Sequence, residues 1–384
     1  MASSKQICEE ILKLADIKIN GNRPWDVQVH DDRTFDEILK KGSLGLGESY
    51  MNGWWDCKEL DEFFNKILSA KLEQKLKEVF TLSIKAKLAI NFLISKTLNL
   101  QSISRSKKVA ERHYNLGNDF YKNMLDPEYM QYTCGYWKNA KNLNQAQIDK
   151  LDRACRKAKL SKNKKLKVLE LGSGFGGFGK FAAKNHNCEI TSYNISTEQV
   201  AHSREINKNL PVKTIIDDYR NAEKENKHHF DRVVSIGMME HVGKKNYRNF
   251  MRLADYCLKD KGILYIHTIG NLKSQGGTDP WLSKYIFPGG CLPSAADIIR
   301  AAEGYFSIED FENIGHYYDQ TLMAWFANFE KNWPRFKDQY RERFYRMWKY
   351  YLLSCAGAFR SGHIQLFQFV FSKGNLGKVY EGVR

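Results

Sequence analysis

Short apolar runs that recur between helical stretches from Leu166 onward leave this chain few folds to choose from. The runs are KLKVLEL, CEITSYN, VKTII, FDRVVSI and GILYIHT. Strand alternating with helix makes a doubly wound α/β sheet, mostly parallel, because each parallel pair needs a crossover and a helix supplies it. Two further strands are expected over 306–314 and 364–372, with a large helical insertion between them. The last run is apolar except for Gln365 and Gln368.

The segment VLELGSGFGG, residues 168–177, carries the first of these strands into a helix. Its glycines let a ligand lie against bare backbone at a helix N-terminus. Gly172, Gly174 and Gly177 satisfy GxGxxG, so a dinucleotide site competes with an S-adenosylmethionine site. Two features favour S-adenosylmethionine: Glu170 at the strand end, placed to face a cationic amino-acid group, and the position of the unit in mid-chain after a helical region. The E-x-G-x-G-x-G form, through Gly176, resembles the class I methyltransferase motif. The next strand ends in Tyr193-Asn194-Ile195-Ser196, with no carboxylate for ribose hydroxyls. Asn194 can take that role, or it can serve the helix N-terminus, with Ser196 preceding Glu198 and Gln199. Asp217, Asp218 and Tyr219 follow the third strand, where adenine is often held; an acidic pair in a loop is otherwise solvated surface.

Up to residue 106 the periodicity is helical, as in Ile7, Ile11, Leu12 and Leu14 and again in Leu60, Phe63, Phe64, Ile67 and Leu68. Between these lies GSLGLGESYMNGWW, residues 42–55, whose four glycines break helix and predict a packed loop. Residues 72–100 read as a long amphipathic helix, and the polar stretch 102–108, with Lys107 and Lys108, as a linker. Two domains are expected: a mainly α domain over 1–106 and an α/β domain over 107–384.

Sixty Lys plus Arg against 44 Asp plus Glu give a net charge of +16, which calls for a polyanionic partner. Nucleic acid and anionic lipid both qualify. There is no RNP-type aromatic motif, zinc finger or arginine-rich tail, so an RNA-binding protein is the weaker reading and no nucleic-acid partner is expected. The eight cysteines are scattered without a CxxC pair or a cysteine and histidine cluster, which predicts neither disulfide framework nor metal. The chain opens on a polar helical pattern, not an apolar signal core, and its longest apolar run, 88–94, is too short to span a bilayer. A cytoplasmic protein is expected.

GSLGLGESYMNGWWD from Gly42, HYNLGNDFY from His113, MQYTCGYWK from Met130, MEHVG from Met239, HTIG from His267, WLSKYIFPGGCLP from Trp281, YDQTLMAW from Tyr318 and CAGAFR from Cys355 together resemble the cyclopropane fatty acid synthases. The match runs along nearly the whole chain and is similar to the full-length bacterial phospholipid enzymes rather than the shorter mycolic acid synthases. The resemblance implies a class I S-adenosylmethionine-dependent methyltransferase, Rossmann-like, with lipid-binding insertions. It implies methylene transfer to the cis double bond of phospholipid acyl chains, through methyl transfer, a carbocation and deprotonation assisted by bicarbonate. An alkene is a poor nucleophile, so such an enzyme must align it with the methyl donor in a dry pocket. The resemblance places bicarbonate at Cys134, Glu240, His267 and Tyr318, with backbone around Ile269, and makes Cys355 an active-site candidate. It sets Tyr132 and Thr133 near the methionine end of S-adenosylmethionine and Gln199 near the ribose or adenine. A homodimer, peripheral at the inner face of a phospholipid membrane, is implied too, and the N-terminal helices and residues 281–287 are expected to help it dock.

Plainer readings stand beside these. Cys134 can be an inert buried thiol. Glu240 can cap or pair locally with His241, and His267 can be structural, yet both end strands at the carboxyl edge where α/β sites form. Tyr318 can be a core tyrosine, and only the resemblance selects it over Tyr317. Cys355 can belong to close helix packing with Ala356, Gly357 and Ala358. The competing functions are a methyltransferase acting on a small amine, or on an alkene without ring closure, and a catalytically silent lipid-binding relative.

Overall fold

A computed structural model describes residues 3–72 and 117–384. The expected linker, the boundary at 106 and all but the first residue of the helix over 72–100 lie outside the described residues. The chain divides into two compact units: one takes residues 1–99, 277–288 and 322–364, the other 100–276, 289–321 and 365–384.

In the first unit, helices Ser4–Leu14, Arg33–Lys41, Ser43–Met51 and Leu60–Ser69 accompany a two-stranded antiparallel ladder, β1 (Gln28–Val29) with β2 (Trp55–Asp56). The loop expected over 42–55 is therefore mostly helix. Its glycines answer to packing: a Cβ at Gly45 would stand 2.1 Å from the carbonyl oxygen of Glu37, and one at Gly47 would stand 2.3 Å from the indole of Trp281. Trp281 is fully buried, its ring centroid 4.5 Å from that of Tyr350, which in turn meets Tyr50 at 5.4 Å. That burial corrects the expectation that Trp281 helps to dock on a membrane, since a ring locked in a core has no face left for lipid. Arg346 fastens the cluster by donating to the carbonyl oxygens of Tyr50 and Trp55 at 2.6 and 2.9 Å.

The second unit holds a seven-stranded sheet in the order β5-β4-β3-β6-β7-β9-β8. Its strands are β3 (Leu166–Leu171), β4 (Cys188–Asn194), β5 (Val212–Ile216), β6 (Phe230–Ile236), β7 (Leu258–Asn271), β8 (Ser307–Asn313) and β9 (Ile364–Ser372). Pairs from β5 to β7 are parallel, and β8 runs antiparallel to β9. All seven strands expected from the sequence are present. Central strands read as continuous apolar runs because helices cover both faces. Leu169, Val233 and Leu264 pack to one side with Phe250 and Met251, while Val168, Val234 and Tyr265 pack to the other with Leu151 and Phe178. Strand order reverses between β3 and β6, so the crevice beyond their carboxyl ends is where such a sheet takes a ligand.

A helical stretch, His316–Arg360, is broken at Arg341, where φ is +61°. Its residues up to Thr321 belong to the second unit and those from Leu322 to the first.

Candidate active site

The turn after β3 is a cradle of backbone. Gly172, Gly174 and Gly176 all have positive φ, at +87°, +51° and +86°, and lead into the helix Gly177–Asn185. A Cβ at Gly176 would stand 2.2 Å from Ser203 Oγ, so that position is closed to any other residue, whereas one at Gly174 meets nothing within 4 Å among the described residues. The open side of Gly174 is where a ligand can approach the backbone. Gly177, the third glycine of the dinucleotide pattern, answers to packing instead, because a Cβ there would strike the carbonyl of Tyr129 at 2.1 Å.

Asn194, at the end of β4, secures this turn. Its Nδ2 donates to the carbonyl of Gly174 at 3.0 Å and to Gln199 Oε1 at 3.0 Å, and its Oδ1 accepts from the Ser196 amide at 2.9 Å. Both amide protons are thus engaged within the protein, leaving one Oδ1 lone pair for a ribose hydroxyl. Ser196 caps the helix Thr197–Ile206, its Oγ accepting from the Gln199 amide at 3.3 Å. Asp218 grips Arg220 through two bonds of 2.7 Å, and Tyr219 packs against Phe250. Glu170 is buried and accepts from Ser192 Oγ at 2.5 Å. Burial pushes its carboxyl up to about 7, against the pull of Ser192 and Lys150.

The segment Gln131-Tyr132-Thr133-Cys134 is held by side chains that the sequence did not single out. Asp126 accepts from the amides of Tyr129 and Gln131, each at 2.7 Å. Lys150, wholly buried on the helix Leu143–Lys157, donates to Gln131 Oε1 and to Thr133 Oγ1, the latter at 2.9 Å, while Gln147 donates to the Thr133 carbonyl at 2.8 Å. Burial pulls the Lys150 ammonium down to about 7, opposed by Asp126, Cys134 and Glu170. Tyr132 meets Tyr121 edge-on at 5.4 Å, and Tyr121 meets Phe175 of the glycine turn at 5.4 Å. A Cβ at Gly237, directly after β6, would stand 2.6 Å from Thr133 Cγ2, so this segment also abuts the end of that strand. A readable trace of the missed residues existed. Gln147, Lys150, Arg153 and Lys157 recur at helical spacing beside Ala146, Leu151 and Ala154, a polar stripe set in an apolar face.

Glu240 and His267 meet the same edge. Glu240 Oε1 accepts from the Ile269 amide at 2.7 Å, its carbonyl accepts from the Cys291 amide at 2.8 Å, and the His267 carbonyl accepts from the Gly237 amide at 2.8 Å. Burial raises the Glu240 carboxyl to about 7 and holds the His267 imidazole down to about 3, Lys150 and Lys157 adding to the latter. Neither Glu240 Oε2 nor His267 Nε2 has a hydrogen-bond partner among the described residues. Two buried polar atoms without protein partners therefore lie at the carboxyl edge of the sheet, where a small polar group would relieve a cost of about 1–3 kcal/mol for each unsatisfied group. Cys134 is fully buried with its thiol raised well above the usual range by burial, so it stays protonated. Thr321 joins this thiol to the helix of Tyr318: its Oγ1 accepts from the Gly135 amide at 3.0 Å, lies 3.8 Å from Cys134 Sγ and donates to the Tyr317 carbonyl at 3.0 Å. Tyr318 is buried one turn from that anchor.

Cys355 belongs to the other unit. Its thiol is pushed up to about 12 by burial, and a Cβ at neighbouring Gly357 would stand 2.4 Å from the Asp61 carbonyl oxygen, the geometry of close helix packing. Among the described residues no group of His, Cys, Asp and Glu has the arrangement of a metal site, and no helix is long and apolar enough to cross a membrane.

Residues 101–369 match the family model of mycolic acid cyclopropane synthetase. The chain is 46% identical to the cyclopropane-fatty-acyl-phospholipid synthase of Escherichia coli K12 over 96% of its own length and 93% of that protein. Its fold is similar to the cyclopropane synthase MmaA2 of Mycobacterium tuberculosis, with 26% identity, a TM-score of 0.64, and coverage of 72% of this chain and all of that one. It is also similar to the mycolic acid cyclopropane synthase CmaA1 in complex with SAH and CTAB, with 27% identity, a TM-score of 0.62, and coverage of 70% and 98%.

Proposed function

The chain belongs to the mycolic acid cyclopropane synthetase family, and from that premise we propose that it transfers a methylene unit from S-adenosylmethionine to the cis double bond of unsaturated acyl chains in membrane phospholipids, with bicarbonate as the proton acceptor. The fold is that of the class I S-adenosylmethionine-dependent methyltransferases, as in solved relatives with the same α/β core. The observation that carries the reading is the pair of buried, partnerless atoms, Glu240 Oε2 and His267 Nε2, at the sheet edge that the glycine cradle also borders.

The donor set fits both groups. Gly172, Gly174 and Gly176 would receive the nucleoside along bare backbone, with Asn194, Gln199, Asp218 and Tyr219 on its far side and Tyr132, Thr133 and Glu170 near the methionine end. Cys134, Glu240, His267 and Tyr318, with the Ile269 backbone, would hold bicarbonate. When bound, S-adenosylmethionine supplies an electrophilic methyl carbon and bicarbonate supplies a base. The chain's own work is orientation and exclusion of water. The Ile269 amide fixes the Glu240 carboxyl through Oε1, and burial lets that carboxyl hold its proton close to neutrality. His267 stays neutral, so it offers a hydrogen bond without a full charge that would draw water into the site. The Cys134 thiol, kept protonated by burial, can donate but not attack. An acyl chain drawn from a bilayer needs the enzyme at its surface, and the net charge of +16 supports docking on anionic lipid. A homodimer peripheral to the inner face of the membrane is part of the proposal.

Incubation with S-adenosylmethionine, bicarbonate and vesicles bearing cis-monounsaturated chains tests it. A released fatty acid heavier by one CH2 and resistant to hydrogenation is expected. A methylated, reducible chain means transfer without ring closure, and an unaltered lipid sinks the proposal.

A further inference from the structure

One residue of β9 is unexplained by packing. Gln368 interrupts an apolar strand, is fully buried between Phe367 and Phe369 in the chain, and places its Nε2 3.2 Å from His267 Nδ1. Its other end lies 3.4 Å from Arg153 Nε. A guanidinium can only donate, so the Gln368 atom that faces Arg153 has to be the carbonyl Oε1. A flipped amide would set two donors against each other. The amide nitrogen therefore faces His267, and because it too can only donate, Nδ1 has to accept. A neutral imidazole whose Nδ1 accepts carries its proton on Nε2.

Arg153 cannot turn away from Gln368. It is fully buried, its guanidinium lies 4.4 Å over the Tyr136 ring and ion-pairs with Glu312, and Glu312 also takes Lys157 at 3.0 Å. Lys157 pairs with Asp310 at 2.5 Å, and Arg384 closes on Asp310 at 2.6 Å. Three cations share two carboxylates in one connected array, and these shared ion pairs hold Arg153 in place.

We propose that Gln368, oriented by Arg153, is a positioning residue that locks His267 as its Nε2–H tautomer, so that the histidine presents a hydrogen-bond donor to an oxyanion. This rests on the assignment of His267 to the base site above. A donor at Nε2 matches an anion's oxygen lone pair, whereas the opposite tautomer would face that oxygen with a lone pair of its own.

The test is nitrogen NMR of protein labelled with 15N-histidine at pH 8, the His267 signals assigned by their loss in His267→Gln. Wild type should show a protonated Nε2 and an unprotonated, hydrogen-bonded Nδ1; a protonated Nδ1 overturns the proposal, whether or not bicarbonate is present. In Gln368→Met, of similar volume, the Nδ1 signal should move to that of a free lone pair, and an unmoved signal also overturns it. Gln368→Glu puts an acceptor beside Nδ1 and a fitting partner beside Arg153. The proton should pass to Nδ1 and bicarbonate affinity should fall on the order of tenfold, the scale of one hydrogen bond to a charged group, with S-adenosylhomocysteine affinity unchanged. Unaltered bicarbonate affinity after the proton has moved overturns the proposal. A wild-type Nε2–H signal that bicarbonate does not perturb upholds the tautomer and instead removes His267 from the base site.

Discussion

Glu240 shows how burial sets the chemistry of a single group. Its carboxyl is raised to about 7, above the range of an unfolded glutamic acid, so the folded state prefers the protonated form. The stability this gives is fully present below about pH 4.5 and is lost as pH rises through about 7. Glu240→Gln cannot ionise. In bicarbonate-free buffer its loss of unfolding free energy between pH 5 and pH 8 should be smaller than that of wild type by up to roughly 3 kcal/mol, from about 1.4 kcal/mol per unit of displacement, as read by urea denaturation at the two values. The same substitution should lower turnover by at least tenfold and blunt its dependence on bicarbonate, and wild-type values of both in a product assay would discard the role given to Glu240. Glu240 and His267 became candidates through the family resemblance, and their places near the carboxyl ends of recognisable strands favoured a functional reading over a structural one. The sequence did not reach Lys150, Thr321 or Arg153, which act on the site across 17 to 215 residues of chain. Gln368 was visible only as a blemish in an apolar run; its meaning depends on a histidine 101 residues away.

Among the elements, strands were the more readable and the glycine-rich helix Ser43–Met51 the least. A strand buried on both faces declares itself by its own composition, whereas Gly45 and Gly47 are small because of what lies opposite them. Local propensity counts those glycines against helix by about 1 kcal/mol each, and tertiary closeness overrides it. Gly45→Ala makes the two effects separable. It should improve local helix propensity, yet its methyl would meet the Glu37 backbone at 2.1 Å, so a net loss of about 1–3 kcal/mol is expected from overpacking. A urea midpoint equal to or above wild type would mean that the neighbouring helix Arg33–Lys41 moves aside freely.

Over the whole molecule, the expected doubly wound sheet is present with its seven strands in place, because alternation of strand and helix is a long-range property written in short-range pattern. Net charge is another property of the whole. With an excess of sixteen positive charges, binding to vesicles that contain anionic lipid should weaken several-fold between 50 and 500 mM salt as the screening length shrinks below about 10 Å. Sedimentation with vesicles measures this, and affinity indifferent to salt would move the docking argument from charge to apolar contact. The first unit is assembled from segments far apart in the chain. The Ser4–Ser69 helices share a unit with residues 277–288 and 322–364, so the N-terminal part emerges from the ribosome long before the rest of its core exists. At about 5–20 residues per second, Tyr50, Trp55 and Phe63 wait roughly 15–60 s for Trp281 and Tyr350 to be made. During synthesis the nascent chain therefore carries an unfinished aromatic surface, and a chaperone that shields it until translation ends has a defined window in which to act.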